Sequence, residues 1–106
     1  MLGVAYKPNV DDMRESPSMV LLEKLEALGA NIAYSDPHVP VIPSMRKHKF
    51  DLESTPPTAE SLASFDLVLV STDHKRFDWD FIKEHAPLII DTRGVYTCDK
   101  EKIWRA

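Results

Sequence analysis

Apolar residues come in short runs separated by polar, proline-marked stretches, and the spacing within each run predicts its element. Met1 to Ala5 is apolar and abuts Tyr6-Lys7-Pro8-Asn9-Val10-Asp11-Asp12, the pattern of a buried strand ending in a loop. A strand beginning at residue 1 with no turn before it reads as truncated, so the chain is expected to be a piece of a longer protein. Ser16-Pro17 predicts a helix start, with a side-chain acceptor at the N-cap and proline at the first helical position. Val20, Leu21, Leu25 and Leu28 recur at helical spacing as the expected core face, with Glu23, Lys24 and Glu26 toward solvent. Gly29 supplies the left-handed stop. Asn31 to Ser35 predicts a second strand, closed by the turn-forming Asp36-Pro37.

Residues 37 to 58 hold five of the eight prolines. That density predicts an ordered surface loop, with Phe50-Asp51-Leu52-Glu53 as a brief strand inside it. A short helix is expected over Ala59 to Ser64. Asp66-Leu67-Val68-Leu69-Val70-Ser71 is a near-continuous apolar run, as in a strand buried on both faces of a parallel sheet. Asp78 predicts the cap of a helix through His85 with Phe81 and Ile82 inward. Pro87 ends that helix, and Leu88-Ile89-Ile90-Asp91 forms another buried strand. The tail after Gly94 reads as weak helix or coil. Strands alternating with helices imply an α/β fold: a Rossmann-like open parallel sheet with helices on both faces.

Composition narrows the class without naming a function. The chain has 106 residues, which fits one compact domain. With 43% hydrophobic and 28% charged residues, it lies near the globular averages and away from coiled coil, collagen or disorder. No apolar run approaches the roughly 20 residues that span a bilayer, and no basic stretch followed by an apolar one opens the chain as in a signal peptide. A net charge of -4 argues against nucleic-acid or anionic-membrane partners, which need a basic face. A lone cysteine, Cys98, suits a reducing, cytoplasmic setting.

Ligands of such sheets bind beyond the carboxyl ends of the strands. Three polar groups are expected there: Lys7 with Arg14, Thr72-Asp73-His74, and Asp91-Thr92-Arg93. The first loop carries only Gly3 before bulky Val4-Ala5-Tyr6, not the Gly-rich turn that seats a dinucleotide pyrophosphate on a helix N-terminus. Anion recognition would then fall to Lys7, a point charge, and Arg14, a planar fork suited to phosphate. A solvated loop with Arg14 paired to Asp11, Asp12 or Glu15 explains the same residues. Arg93 follows a buried strand, where it meets either a ligand or Asp91. His74 beside Asp73 is either an oriented imidazole or loop polarity. The four histidines match no metal-ligand spacing, Cys98 has nothing beside it to lower its pKa, and Trp79 and Phe77 read as packing residues. No nucleophile, base and orienter assemble, so the domain does not look catalytic alone.

The string Gly3-Val4-Ala5-Tyr6-Lys7-Pro8-Asn9-Val10-Asp11-Asp12-Met13-Arg14-Glu15-Ser16-Pro17 closely resembles the opening of the C-terminal domain of nucleotide-sugar 6-dehydrogenases. This is the UDP-glucose and UDP-N-acetylhexosamine dehydrogenase family. Ser35-Asp36-Pro37, Ser71-Thr72-Asp73-His74 with Phe77, and Ile90-Asp91-Thr92-Arg93 are similar to family motifs in the same order. The likeness covers about residues 1 to 96. It implies NAD-dependent oxidation of a UDP-sugar's C6 alcohol to a carboxylate by a longer protein, a homo-oligomer whose N-terminal domain binds NAD. This domain would close over the UDP-sugar. By the same resemblance Lys7, with its neighbour Tyr6, would contact the UDP-sugar, Arg14 would reach the NAD pyrophosphate, and Arg93 would lie at the substrate or cofactor edge. Thr72-Asp73-His74 looks more like the N-acetylhexosamine branch than the UDP-glucose branch. The family's catalytic cysteine, its NAD fingerprint and its central helix have no counterpart here. Two other readings of the residues stay open: a stand-alone nucleotide-binding or interaction module, and a domain that mainly stabilises an oligomer.

Overall fold

A computed structural model describes residues 1–5, 7–9, 16–42, 52–98 and 101–106. Three parallel strands form the regular sheet: β1 (Val68–Val70), β2 (Ile89–Asp91) and β3 (Ile103–Arg105), in that order. The first segment extends it. Leu2 bridges in parallel to both Val70 and Ser35, the Leu2 amide donates to the Leu69 carbonyl (2.8 Å), and the Gly3 amide to the Ser35 carbonyl (2.8 Å). Residues 33–35 therefore lie outside residues 1–3, which lie beside β1. The succession is that of one doubly wound α/β sheet, in which the second segment flanks the first and the later strands continue on the other side.

Helices α1 (Pro17–Ala27), α2 (Ala59–Ser64) and α3 (Trp79–His85) connect these segments. Their buried residues separate into two clusters. Leu62 of α2 and Ile82 of α3 pack with Leu2, Val68, Val70, Ile89 and Ile103. Met19 and Leu22 of α1 pack with Val4, Ala5, Tyr34, Val39 and Ile42. The helices thus cover both faces, as expected for parallel strands buried on either side. Gly3, at φ +83°, interrupts the alternation of its strand. Leu2 and Val4 would share one face of a regular strand, yet they fall in different clusters.

Several local signals act as read. Asp78 caps α3, accepting from the Phe81 amide (3.2 Å), and Gly29 adopts φ +93° after α1. Helix α2 opens with a reciprocal cap, Ser61 N–H to Thr58 Oγ1 (3.1 Å) and Thr58 N–H to Ser61 Oγ (2.9 Å), which satisfies two otherwise orphaned donors.

Other expectations are corrected. The core face of α1 is Ser18, Met19 and Leu22, not the Val20–Leu28 stripe: Val20 is 42% and Leu28 84% exposed. A serine in the inward stripe conceals it from a hydrophobicity reading, but Ser18 Oγ has a reason to be inside, its hydrogen bond to Ser71 Oγ. Ser16 holds the N-cap position without capping, because its hydroxyl donates instead to the Val4 carbonyl (2.6 Å). Within Asn31–Ser35 only Ser35 bridges to the sheet. The tail is neither helix nor coil at its end: Ile103–Arg105 is β3, bracketed by the Ile89 amide donating to Lys102 (2.7 Å) and the Ala106 amide to Asp91 (3.1 Å). Three residues with one buried position carry too little period to be read as a strand; pairing with β2 decides it. Glu53 of the expected brief strand bridges antiparallel to Val41, while Phe50 and Asp51 lie outside the described residues.

Candidate functional site

The carboxyl edge of the sheet is organised by a carboxylate. Asp36 is 1% exposed and follows the second segment. Its Oδ2 accepts from the amides of Val4 (2.8 Å) and Ala5 (3.3 Å), and its Oδ1 from the amide of His38 (2.8 Å). Backbone donors converging on a buried carboxylate compensate its lost hydration. His74 Nε2 completes the set at 2.8 Å from Oδ2, with both side chains fully buried.

The other ring nitrogen of His74 reaches the first loop. The Asn9 amide donates to Nδ1 (2.7 Å). An amide can only donate, so Nδ1 is the acceptor, and the ring proton sits on Nε2, where it donates to Asp36. Asn9 occupies the left-handed region at φ +66°, a conformation asparagine tolerates better than most residues. Its Oδ1 accepts from the Lys75 amide (2.7 Å). The turn Lys7–Asn9 is therefore clamped at its far end to the loop after β1. Its near end is clamped too, since Thr72 Oγ1 donates to the Ala5 carbonyl (2.7 Å). Lys7 lies between these two anchors, exposed.

A second buried carboxylate shapes the loop after β2. Asp91 Oδ1 accepts from the amides of Arg93 (2.9 Å) and Gly94 (2.9 Å), and Oδ2 from that of Tyr96 (2.8 Å). Thr92 Oγ1 donates to the Val70 carbonyl (2.6 Å), and Arg93 Nε to the Ser71 carbonyl (2.7 Å). Arg93 thus reaches back over the carboxyl end of β1, and its contact with Asp91 is through the backbone, not an ion pair. The two phenols of the region, Tyr34 buried and Tyr96 half-buried, are donors, not bases. Burial, then Asp36 and Glu53, push Tyr34 up to about 12, and its hydroxyl donates to the Val39 carbonyl (2.8 Å). Burial, then the Asp91, Asp80 and Asp78 charges, raise Tyr96 well above the usual phenol range, and its hydroxyl donates to Trp79.

Of the residues singled out in the sequence, Lys7 and Arg93 project from the same carboxyl edge, on segments adjoining β1. Tyr6 and Arg14 lie outside the described residues. Asp73 is not the partner of His74; that role falls to Asp36, and Asn9 completes the set. In the sequence Asp36 stands as a turn former and motif residue and Asn9 as one of the opening string, with no site role for either. The available signal was a single aspartate closing a strand before proline, at the edge where ligands bind. Among the described residues, no three histidine, cysteine or acidic side chains gather as a metal site. No helix among them is long and apolar enough to cross a membrane. The described residues do not fit a dinucleotide cradle. A Cβ on Gly3 would stand 2.4 Å from the Thr72 carbonyl oxygen, so this glycine serves strand packing and opens no space for a pyrophosphate.

Comparison with known proteins then decides the class. Residues 1–98 match the profile of the UDP-glucose/GDP-mannose dehydrogenase family, UDP binding domain. The chain belongs to this family. As a UDP binding domain it is 36% identical to the UDP-glucose 6-dehydrogenase YwqF of Bacillus subtilis, over 94% of this chain and 24% of that protein. It is 30% identical to the UDP-N-acetyl-D-mannosamine dehydrogenase of Escherichia coli, over 89% of this chain and 22% of that one. The chain thus spans about a quarter of the length of the curated relatives it matches. Its fold matches a UDP-D-ManNAc dehydrogenase structure from Pyrococcus horikoshii with a TM-score of 0.69 at 20% identity, over 98% of this chain and 24% of that one.

Proposed function

We propose that this UDP binding domain is one part of a longer, cytoplasmic, homo-oligomeric NAD-dependent dehydrogenase. That enzyme oxidises the C6 alcohol of a UDP-sugar to the carboxylate, and the domain is inactive alone. The observation that carries the reading is the mounting of Lys7: an exposed lysine on a turn whose backbone is anchored on both sides by buried groups. A cation held this way meets a diphosphate without first ordering its loop, which is where much binding energy is otherwise lost. In this reading Lys7 and Tyr6 contact the UDP-sugar, Arg93 lies at its edge, and Arg14 reaches the NAD pyrophosphate. NAD itself is held mainly by a separate N-terminal domain, consistent with the close packing of Gly3 against Thr72. The longer protein is favoured over a stand-alone module by the quarter-length match to relatives. It is also favoured by an apolar groove of about 510 Å³ at the opposite, amino edge of the sheet, lined in part by Leu22, Leu25, Ile32, Phe65 and Leu67.

The finer preference for a UDP-N-acetylhexosamine over UDP-glucose rests on the string Thr72-Asp73-His74. Its Thr72 and His74 side chains are turned into the fold, and relatives of both kinds match the chain. Turnover of the two sugars side by side by the whole enzyme tests that preference, which falls if UDP-glucose is the better substrate. The central reading is tested by titrating UDP into the whole protein and its Lys7→Ala variant. A well-placed charged hydrogen bond contributes about 1.5–3 kcal/mol, so affinity is expected to fall roughly 10- to 100-fold. Equal affinities would remove Lys7 from the site.

A further inference from the structure

We infer that His74, although it is fully buried, is the positioning residue for Lys7, and that it acts through the acceptor face of Nδ1. The inference rests on the reading that Lys7 meets the UDP phosphates. Three observations support it. The ring spans two sides of the Lys7 turn: Nε2 meets Asp36, whose Oδ2 also receives the Ala5 amide, and Nδ1 receives the Asn9 amide. Lys7 lies between Ala5 and Asn9, so a single imidazole–carboxylate pair sets the backbone before and after it. Second, Asn9 sits at positive φ, and its two clamps, Nδ1 of His74 and the Lys75 amide, both come from the loop after β1. Third, the ring is packed on its sides by His38, with centroids 4.6 Å apart, and by Phe77, at 5.8 Å. It therefore cannot swing to another partner without disturbing buried neighbours.

The nitrogen that positions Lys7 can be separated from the one that holds Asp36. Asparagine at 74 carries its side-chain oxygen where Nδ1 stands, one bond from Cγ, and keeps an acceptor for Asn9. Glutamine places its amide nitrogen near Nε2, keeps a donor for Asp36 and removes that acceptor. In the whole protein, UDP titrations are expected to show His74→Gln about tenfold weaker than wild type, a coupling typical of residues in one network. His74→Asn is expected to stay within a few-fold of wild type. Because the effect runs through Lys7, adding His74→Gln to Lys7→Ala should cost little more than Lys7→Ala alone.

A purely structural role would weaken both histidine variants alike and leave the two losses additive; either result overturns the inference while Lys7 keeps its place in the site. If Lys7→Ala binds UDP like wild type, the reading beneath it falls as well. Should His74→Gln fail to fold, Asn9→Gly tests the same seat from the other side. It keeps the positive φ and the amide that donates to Nδ1 while removing the Oδ1 clamp to Lys75, so UDP affinity is expected to stay within a few-fold of wild type. A loss as large as that of Lys7→Ala overturns the inference, because the Lys75 contact and not Nδ1 would then hold the seat.

Discussion

Replacing Gly3 by alanine is expected to lower the unfolding temperature by roughly 10–30 °C. The new Cβ would stand 2.4 Å from the Thr72 carbonyl oxygen, 2.5 Å from Thr72 Cβ and 2.8 Å from Thr72 Cα. Two of those three atoms are backbone, so no flexible side chain can yield, and the first segment and the end of β1 must part. The backbone at φ +83° adds the left-handed penalty of an L-residue, about 1–2 kcal/mol. Overpacking costs about 1–3 kcal/mol more. The sum, about 2–5 kcal/mol, is a large share of the 5–15 kcal/mol that holds a typical domain together, and each kcal/mol moves the midpoint of a domain this size by about 4–8 °C. Gly29→Ala separates the two terms. Gly29 also has a positive φ, +93°, but a Cβ there meets nothing within 4 Å, so only the conformational part remains, a fall of about 5–15 °C. Equal losses in the two variants, read by thermal unfolding, would show that the contact with Thr72 is not the constraint.

How much of this was readable beforehand depends on the range of the interaction. Signals confined to one element act where they stand. The α2 span of Ala59–Ser64, the Asp78 cap, the Gly29 stop and the buried cores of β1 and β2 follow from residues within a few positions of one another. Lys7 and Arg93 could be placed at the carboxyl edge of the sheet for the same reason, since each follows an apolar strand. The device that holds Lys7 is different in kind. Asp36 and His74 are 38 residues apart, and Asn9 and His74 are 65 apart; no periodicity records such pairs. The neighbour Asp73 offered a nearer carboxylate for the same imidazole, and tertiary packing chose the distant one. The inward face of α1 was hidden by chemistry, because Ser18 occupies a core position through its bond to Ser71. The last strand was hidden by brevity.

The choice between those carboxylates has a measurable consequence. Asp36→Ala is expected to abolish stable folding, whereas Asp73→Ala should change stability by no more than about 0.5 kcal/mol, as at an ordinary loop position. Removing the Asp36 carboxylate orphans four donors at once: the amides of Val4, Ala5 and His38, and His74 Nε2–H. A buried donor without an acceptor costs about 1–3 kcal/mol. Even at the lower end, four approach the whole stability of a small domain, and a methyl group leaves too little room for water to replace them all. Asp36→Asn should fall between. Its carbonyl oxygen can serve some of these donors, but its NH2 group must point at the others, donor against donor. Denaturant midpoints at unchanged slope would report the order Asp73→Ala, then Asp36→Asn, then Asp36→Ala. If Asp73→Ala proves as damaging as Asp36→Ala, the imidazole is held by its neighbour after all. In that case the strut between the second segment, the loop after β1 and the Lys7 turn does not carry the load assigned to it.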